Sequence, residues 1–441
     1  MKVSKIATSS RELGEQERLL NYLHRFGGLI VLSVLHIRGR LDRTLLQDAL
    51  DWIQDQHPIL RAHITYGRIV FRSLPPFAYR HPSFVTQGTT KIPLSVVENP
   101  NPHLWRQILA RELRSPIRRG ANPRLRVTLV RTSGDAELSH VIVCADHAII
   151  DAHSANMLSR QLLEYLADPE EARRRVPPHS ALPPPLEALL PTKTDSGTRG
   201  YEPAIRLPKR PNPNARMETR ILSRRLDPEE ADRLRVAIKT NRTTLHGAIT
   251  AAFLLAIRQR YGLEAMSVLT TIDLRRLMKP TLPEGTYGCY IDIVRTTNPI
   301  GTDFWKTASE VSFRLIATLA RDQGPASILK LFDWEVYRKE IRGMTIQNRR
   351  IDGLAVTTAG ESGLRSRYGA YELEDVTMAV SLDFFGPSLF VIATERDGGI
   401  DLSIGYSASA ISDEEVSGLT DSAASLLHQQ MSGENPTASR S

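Results

Sequence analysis

The chain has 441 residues, 41% of them hydrophobic and 24% charged, which is the composition of an ordinary globular protein long enough for two domains. This excludes disordered, collagen-like and coiled-coil classes, and no apolar run approaches the ~20 residues needed to span a bilayer. The formal charge of +8 favours anionic partners, while the basic clusters at 173–175, 224–225 and 348–350 are scattered without interleaved aromatics, which argues against nucleic acid.

The start, MKVSKIATSSREL, lacks the apolar core of a signal peptide, so a cytoplasmic protein is expected. SRELGEQERLLNYLHRFG has helical spacing, and LIVLSVLHIRG reads as a strand. LDRTLLQDALDWIQDQHP opens on a capping Asp42 and stops before Pro58, as a helix should. Strands are predicted over 59–67, 69–74 and 92–98, and a helix over 104–114. RLRVTLVRT and LSHVIVCAD then flank the turn SGDAE as a hairpin, and a helix follows with Ser154 as its N-cap.

Between residues 168 and 216 the character changes, because 11 of the 27 prolines fall there and remove the backbone donors that regular structure needs. The expected division is therefore an N-terminal lobe over 1–168, a proline-rich crossover linker over 169–217 and a C-terminal lobe over 218–441. The second lobe alternates again. A strand over 217–226 leads to a helix over 227–240 with Asp227 as cap and Pro228 in its first turn, then a helix over 244–262. Strands over 266–274 and 287–296, a helix over 303–321, strands over 351–360, 375–384 and 388–407, and a closing helix over 412–431 complete the chain. Helices and strands in this alternation make an α/β (α+β) protein.

Several chemistries lack a starting point. The chain has no GxxxxGK[ST] or GxGxxG phosphate loop, no GxSxG elbow and no HExxH. Its two cysteines, Cys144 and Cys289, sit singly in apolar runs, which supports neither a disulfide framework nor a zinc site. What stands out is CADHAIIDAHSANML, where Asp146, His147, Asp151 and His153 gather at the end of a buried strand. Loop residues at such a boundary are held by rigid elements yet can reach a cleft, and a histidine titrating near neutrality suits proton transfer. Two other readings stay open for these residues: a histidine packed under a loop, and a metal site, since all four are ligand types.

DHAIIDA resembles the HxxxD signature of the coenzyme A-dependent acyltransferase superfamily, which includes chloramphenicol acetyltransferase, nonribosomal peptide condensation domains, polyketide-associated acyltransferases and plant BAHD acyltransferases. LGEQERLL, ALDWIQDQHPILRAHI, RLRVTLVRT, TTLHGAITAAFLLAIRQRYG, TTIDLRR, LAVTTAGESG and IDLSIGYSASAIS are similar to family segments in the same order, and the polyketide-associated enzymes are the nearest in character. The resemblance implies two chloramphenicol acetyltransferase-like lobes, each a mixed sheet with helices, and an active-site tunnel between them. It also implies an acyltransferase with no permanently bound cofactor and no metal. Such an enzyme takes acyl-CoA or a phosphopantetheine thioester as co-substrate, with a small-molecule acceptor and an acidic acyl carrier protein as partners, and works as a monomer.

By the same resemblance His147 is the general base, and Asp151 is a structural residue at the active site, paired with Arg275 of IDLRR. Thr357 and Thr358, and more weakly Ser381, are candidates to stabilise the oxyanion, and Asp146 is the candidate to tune the pKa of His147. His140 and His153 are read as structural. The departures are Asp146 where condensation domains and chloramphenicol acetyltransferase typically carry a first histidine, and Ala152 where they carry glycine. A condensation-like epimerase or cyclase, or a non-catalytic scaffold of a biosynthetic assembly, is the alternative.

Overall fold

The computed structural model describes residues 10–25, 28–66, 82–98, 101, 103–132, 138–175, 181–190, 204–208, 218–321, 353–382 and 386–431. The predicted strand over 69–74, the hairpin turn SGDAE and most of the proline-rich linker lie outside the described residues. The described part forms two compact units. Unit one comprises residues 1–191, 275–290 and 363–380, and unit two comprises 192–274, 291–362 and 381–441.

Unit one is built on a six-stranded sheet. Its centre is β2 (Ile30–Arg38), in which every residue but the last is buried, paired antiparallel with β7 (Leu138–Asp146). Such continuous burial, broken in polarity only by Ser33 and His36, suits a strand covered on both faces. β6 (Leu125–Thr132) pairs antiparallel with β7, and β5 (Leu94–Glu98) extends the sheet in parallel. On the other side of β2 lies β13 (Tyr371–Val380), followed by the short β12 (Arg367–Tyr368). A small sheet of β1 (Ser10–Glu12), β4 (Ser83–Val85) and β3 (His63–Thr65) accompanies it. The helices are α1 (Glu15–His24), α2 (Arg43–Gln56), α3 (Leu104–Leu113), α4 (Ala152–Ala167) and the short α5 (Pro169–Arg175). As predicted, Asp42 caps α2, accepting from the Leu45 amide at 2.9 Å.

Unit two carries a second six-stranded sheet in the order β10 (Ile291–Pro299), β9 (Ala265–Asp273), β11 (Leu354–Glu361), β14 (Leu389–Arg396), β15 (Gly399–Ser407), β8 (Thr219–Leu226). Its helices are α6 (Pro228–Thr240), α7 (Leu245–Tyr261), α8 (Phe304–Arg321) and α9 (Asp413–Met431). α7 is buried along residues 246–257 because α8, α9 and β11 pack around it, which explains why its sequence is apolar on nearly all sides. A side chain at Gly247 would sit 2.6 Å from the Ala308 carbonyl, so glycine is what lets α7 approach α8. Gly262, at φ +69°, ends α7 in the left-handed conformation.

Several boundaries differ from the sequence expectation: Ser10–Glu12 forms β1 and the first helix starts only at Glu15, the strand read over 59–67 is confined to His63–Thr65, and three further differences bear on the site. The division into units is not contiguous, since residues 275–290 and 363–380 belong with unit one. The reason is strand pairing across the chain: β13 adds to β2, an association that reading in chain order does not reveal. α4 begins at Ala152 with Asp151 as its cap, not Ser154, because the Asp151 carboxylate accepts the Ser154 amide at 2.9 Å. β10 begins at Ile291 rather than near Tyr287, because the backbone of 288–290 is committed to other partners. Among the described residues no helix is long and apolar enough to cross a membrane.

Candidate active site around His147

β7 ends at Asp146 because its last paired residue meets the start of β2, Ile30, and the chain then turns through residues 147–150 into α4. His147 stands at the head of that turn, half-buried, its amide donating to the Leu29 carbonyl. Its Nδ1 lies 2.8 Å from the carbonyl oxygen of Ile150, within the same turn. A carbonyl can only accept, so Nδ1 carries the proton and Nε2 keeps its lone pair. Cys289 Sγ lies 3.4 Å from the same Nδ1. Burial lowers the pKa of His147, more than the opposing charges of Asp151 and Asp146 raise it, so the imidazole is neutral at pH 7.

Asp151 does not touch this histidine's nitrogens by any hydrogen bond; it faces Arg275. Arg275 Nη1 lies 2.8 Å from Oδ2 and Nη2 lies 3.0 Å from Oδ1, a bidentate pair. The same carboxylate accepts the Ser154 amide at 2.9 Å and the Tyr290 amide at 3.0 Å. Burial raises the Asp151 pKa, and Arg275 with the two amides more than reverses this, so its carboxyl is held below the usual range. Ser154 Oγ donates to the Gly288 carbonyl at 3.0 Å, which fastens the 275–290 segment to the first turn of α4. Farther along, the Tyr287 hydroxyl donates to Gln161 at 2.8 Å. Arg276, the other arginine of IDLRR, is exposed.

Asp146 is fully buried and belongs to a second arginine. Arg124 Nε donates to its Oδ2 at 2.9 Å, the Ala148 amide donates to its Oδ1 at 3.0 Å, and His24 Nδ1 lies 3.8 Å from Oδ1. Burial raises its pKa, and the facing His24 and Arg124 bring it below the usual value. Its influence on His147 is the weakest of the charges acting there, so its principal work is to neutralise Arg124 and stop β7. Sequence reasoning missed Arg124, although hairpin register could have found it: Leu125 pairs with Ala145, so the next position outward sets Arg124 against Asp146. Cys289 was missed because no positive charge stands beside it in sequence.

The remaining candidates are dispersed. Thr357 and Thr358 lie on β11 and Ser381 just beyond β13; all three belong to unit two, whereas His147, Asp151 and Arg275 belong to unit one. Ser381 is fully buried. His153 is exposed in the first turn of α4, and His140 pairs with His36 through Nδ1 at 2.9 Å, with its pKa lowered to about 4 by burial and Arg106. Among the described residues no group of three or more His, Cys, Asp or Glu is arranged to hold a metal ion.

Residues 215–351 match the family described as phthiocerol/phthiodiolone dimycocerosyl transferase C-terminus. No curated protein sequence matches the chain. Among solved structures, the trichothecene 15-O-acetyltransferase TRI3 from Fusarium sporotrichioides is similar over 96% of this chain and 95% of its own, at 14% identity and a TM-score of 0.67. Polyketide synthase associated protein 5 from Mycobacterium tuberculosis is similar over 96% and 99%, at 16% identity and a TM-score of 0.62. The first condensation domain of the calcium-dependent antibiotic synthetase is similar over 98% and 98%, at 13% identity and a TM-score of 0.64. The fold is the one shared by these acyltransferase and condensation-domain structures. In this fold His147 and Asp151 stand at the two ends of the strand-to-helix turn from β7 to α4 and serve different neighbours.

Proposed function

We propose that the protein is an acyltransferase that moves an acyl group from a coenzyme A or carrier-protein thioester to a hydroxyl or amine of a small-molecule acceptor. The observation that carries this reading is the tautomer of His147: Nδ1 is bound to the Ile150 carbonyl, so Nε2 is the free basic nitrogen of a neutral imidazole. In the first step Nε2 takes the acceptor's proton as its oxygen or nitrogen bonds to the thioester carbonyl carbon. The tetrahedral intermediate then collapses, the carbon–sulfur bond breaks, and the departing sulfur receives the proton from Nε2. Products are the ester or amide and the free thiol, and the histidine is restored. During the cycle the Nδ1–H bond to Ile150 holds the ring in place, and Asp151 with Arg275 holds the turn that supplies that carbonyl.

Thr357, Thr358 and Ser381 remain the proposed donors to the oxyanion, and no cofactor beyond the thioester is required. Relatives that are domains of carrier-linked synthetases support a carrier-protein donor, and acyltransferases among them support direct transfer from a small thioester. The test is acceptor-dependent release of free thiol from acyl-CoA and acyl-carrier donors. Wild-type protein should release thiol and His147→Ala should not; equal rates in the two proteins would remove His147 from the mechanism.

A further inference from the structure

A pocket in unit one lies beside the Arg124–Asp146 pair and takes no part in the proton transfer described above. It encloses about 360 Å³ and is lined by Arg25, Arg118, Arg119 and Arg124 together with His24 and Tyr66, among others, and among the described residues no carboxylate lines it. Arg124 is neutralised by Asp146, but Arg25, Arg118 and Arg119 have no carboxylate partner among the described residues. Two of these guanidinium groups stack on one aromatic ring: Arg119 stands 5.1 Å and Arg25 5.9 Å from the ring centroid of Tyr66.

The pocket is built rather than incidental. The Ile117 amide donates to His24 Nε2 at 2.8 Å, and Arg124 Nη1 donates to the Ile117 carbonyl at 3.4 Å, so the backbone leading into Arg118 and Arg119 is held from both sides. Tyr66 is fastened by Asn21, whose Nδ2 donates to its hydroxyl at 2.8 Å. His24 is buried, and its Nδ1 has no hydrogen-bond partner among the described residues. Arg25, Arg118 and Arg119 line one concavity and are exposed to solvent, and an anion of more than one charge with several acceptor oxygens is the ligand that such a set of guanidinium groups suits. A carboxylate brings a single charge, whereas a phosphate ester brings close to two and matches the guanidinium fork. The volume suits such a group with part of the molecule that bears it.

We propose that this pocket is a binding site for a phosphate-monoester or pyrophosphate group. The assignment does not depend on the acyl-transfer reading. The test is calorimetric titration of the full chain, at low salt, with inorganic pyrophosphate, coenzyme A and pantetheine, comparing wild type with the double variant Arg118→Glu/Arg119→Glu. Both arginines are exposed, so the variant should fold, as thermal unfolding would verify. Pyrophosphate and coenzyme A should bind, pantetheine should not bind in this pocket, and the variant should lose at least about tenfold in affinity, with binding weakening as salt rises. Coenzyme A competing with pyrophosphate would support the site and assign the phosphate to the thioester donor; pyrophosphate binding without that competition would support it for a separate phosphorylated ligand. No pyrophosphate binding to the wild type, or equal affinity in the charge-reversed variant, overturns the proposal. Because binding is read without turnover, that failure is distinct from a failure of the thiol-release assay.

Discussion

Two buried carboxylates flank His147, each paired with an arginine, and the two pairs differ in how far they reach. Asp146 and Arg124 are 22 residues apart, the one ending β7 and the other immediately preceding β6, and their pairing follows from the register of β6 on β7. Asp151 and Arg275 are 124 residues apart. The first pair fixes where β7 ends. The second fixes the segment 275–290 against the first turn of α4, because Asp151 simultaneously caps that helix and accepts the Tyr290 amide. Only the second therefore closes the turn from both sides, and the turn is what supplies the Ile150 carbonyl to His147. Equal burial and equal charge do not imply equal duty.

Removing one partner of either pair leaves the other charge buried and alone, at a cost of about 3–5 kcal/mol. Arg275→Ala should show this loss in chemical denaturation and should also bring thiol release to background, measured at a temperature where the variant remains folded. Arg124→Ala should lose similar stability yet retain much more activity; if both variants lose activity in proportion to stability, the distinction between the pairs fails. A milder pair sharpens it. Asp151→Asn retains an acceptor for the Ser154 amide, should cost about 1–3 kcal/mol, and should lower kcat about tenfold or more, whereas Asp146→Asn should leave kcat within a few-fold.

The pH dependence follows from depressed histidines. Since burial lowers the pKa of His147 below 6.5, thiol release should be flat across neutrality and fall only in acid, as Nε2 becomes protonated. A rate still rising above pH 7 would contradict that. Folding should follow the same sign elsewhere. The pKa values of His24, His140 and His246 are lowered by burial from 6.5 to about 4, so between those limits the unfolded chain binds protons that the native chain does not. Stability present above pH 6.5 should be lost progressively as the pH falls towards 4, which stepwise denaturation would follow. The smallest effect is expected at Cys289. Its sulfur is a weak acceptor near Nδ1, and Cys289→Ala should change kcat by less than about tenfold, as steady-state thiol release would show.

What the sequence made legible was local. Apolar spacing placed α2, α7, β6 and β7 close to their observed bounds, and Asp42 and Asp227 are the caps that their positions predicted. Ser154 was misplaced as a cap because Asp151 and Ser154 are both capping types three residues apart, and only the direction of one hydrogen bond separates them. The membership of 363–380 in unit one was not legible, since a strand's partner is set by pairing and not by its own composition. At the site, the HxxxD turn and Arg275 could be picked out by resemblance. Arg124 was open to a register argument along β6 and β7, whereas Cys289 was not, because it is brought to the turn by a segment 142 residues away.

β2 is paired on one side by β7 and on the other by β13, whose first residue, Tyr371, comes 333 positions after the last residue of β2, Arg38. While the chain is still emerging from the ribosome, β2 thus waits with an open edge until residues 371–380 have been made. An N-terminal fragment cut anywhere before Tyr371 carries the same open edge permanently. Such a fragment should aggregate or recruit a chaperone rather than behave as a domain, and the two units are best regarded as products of one folding event.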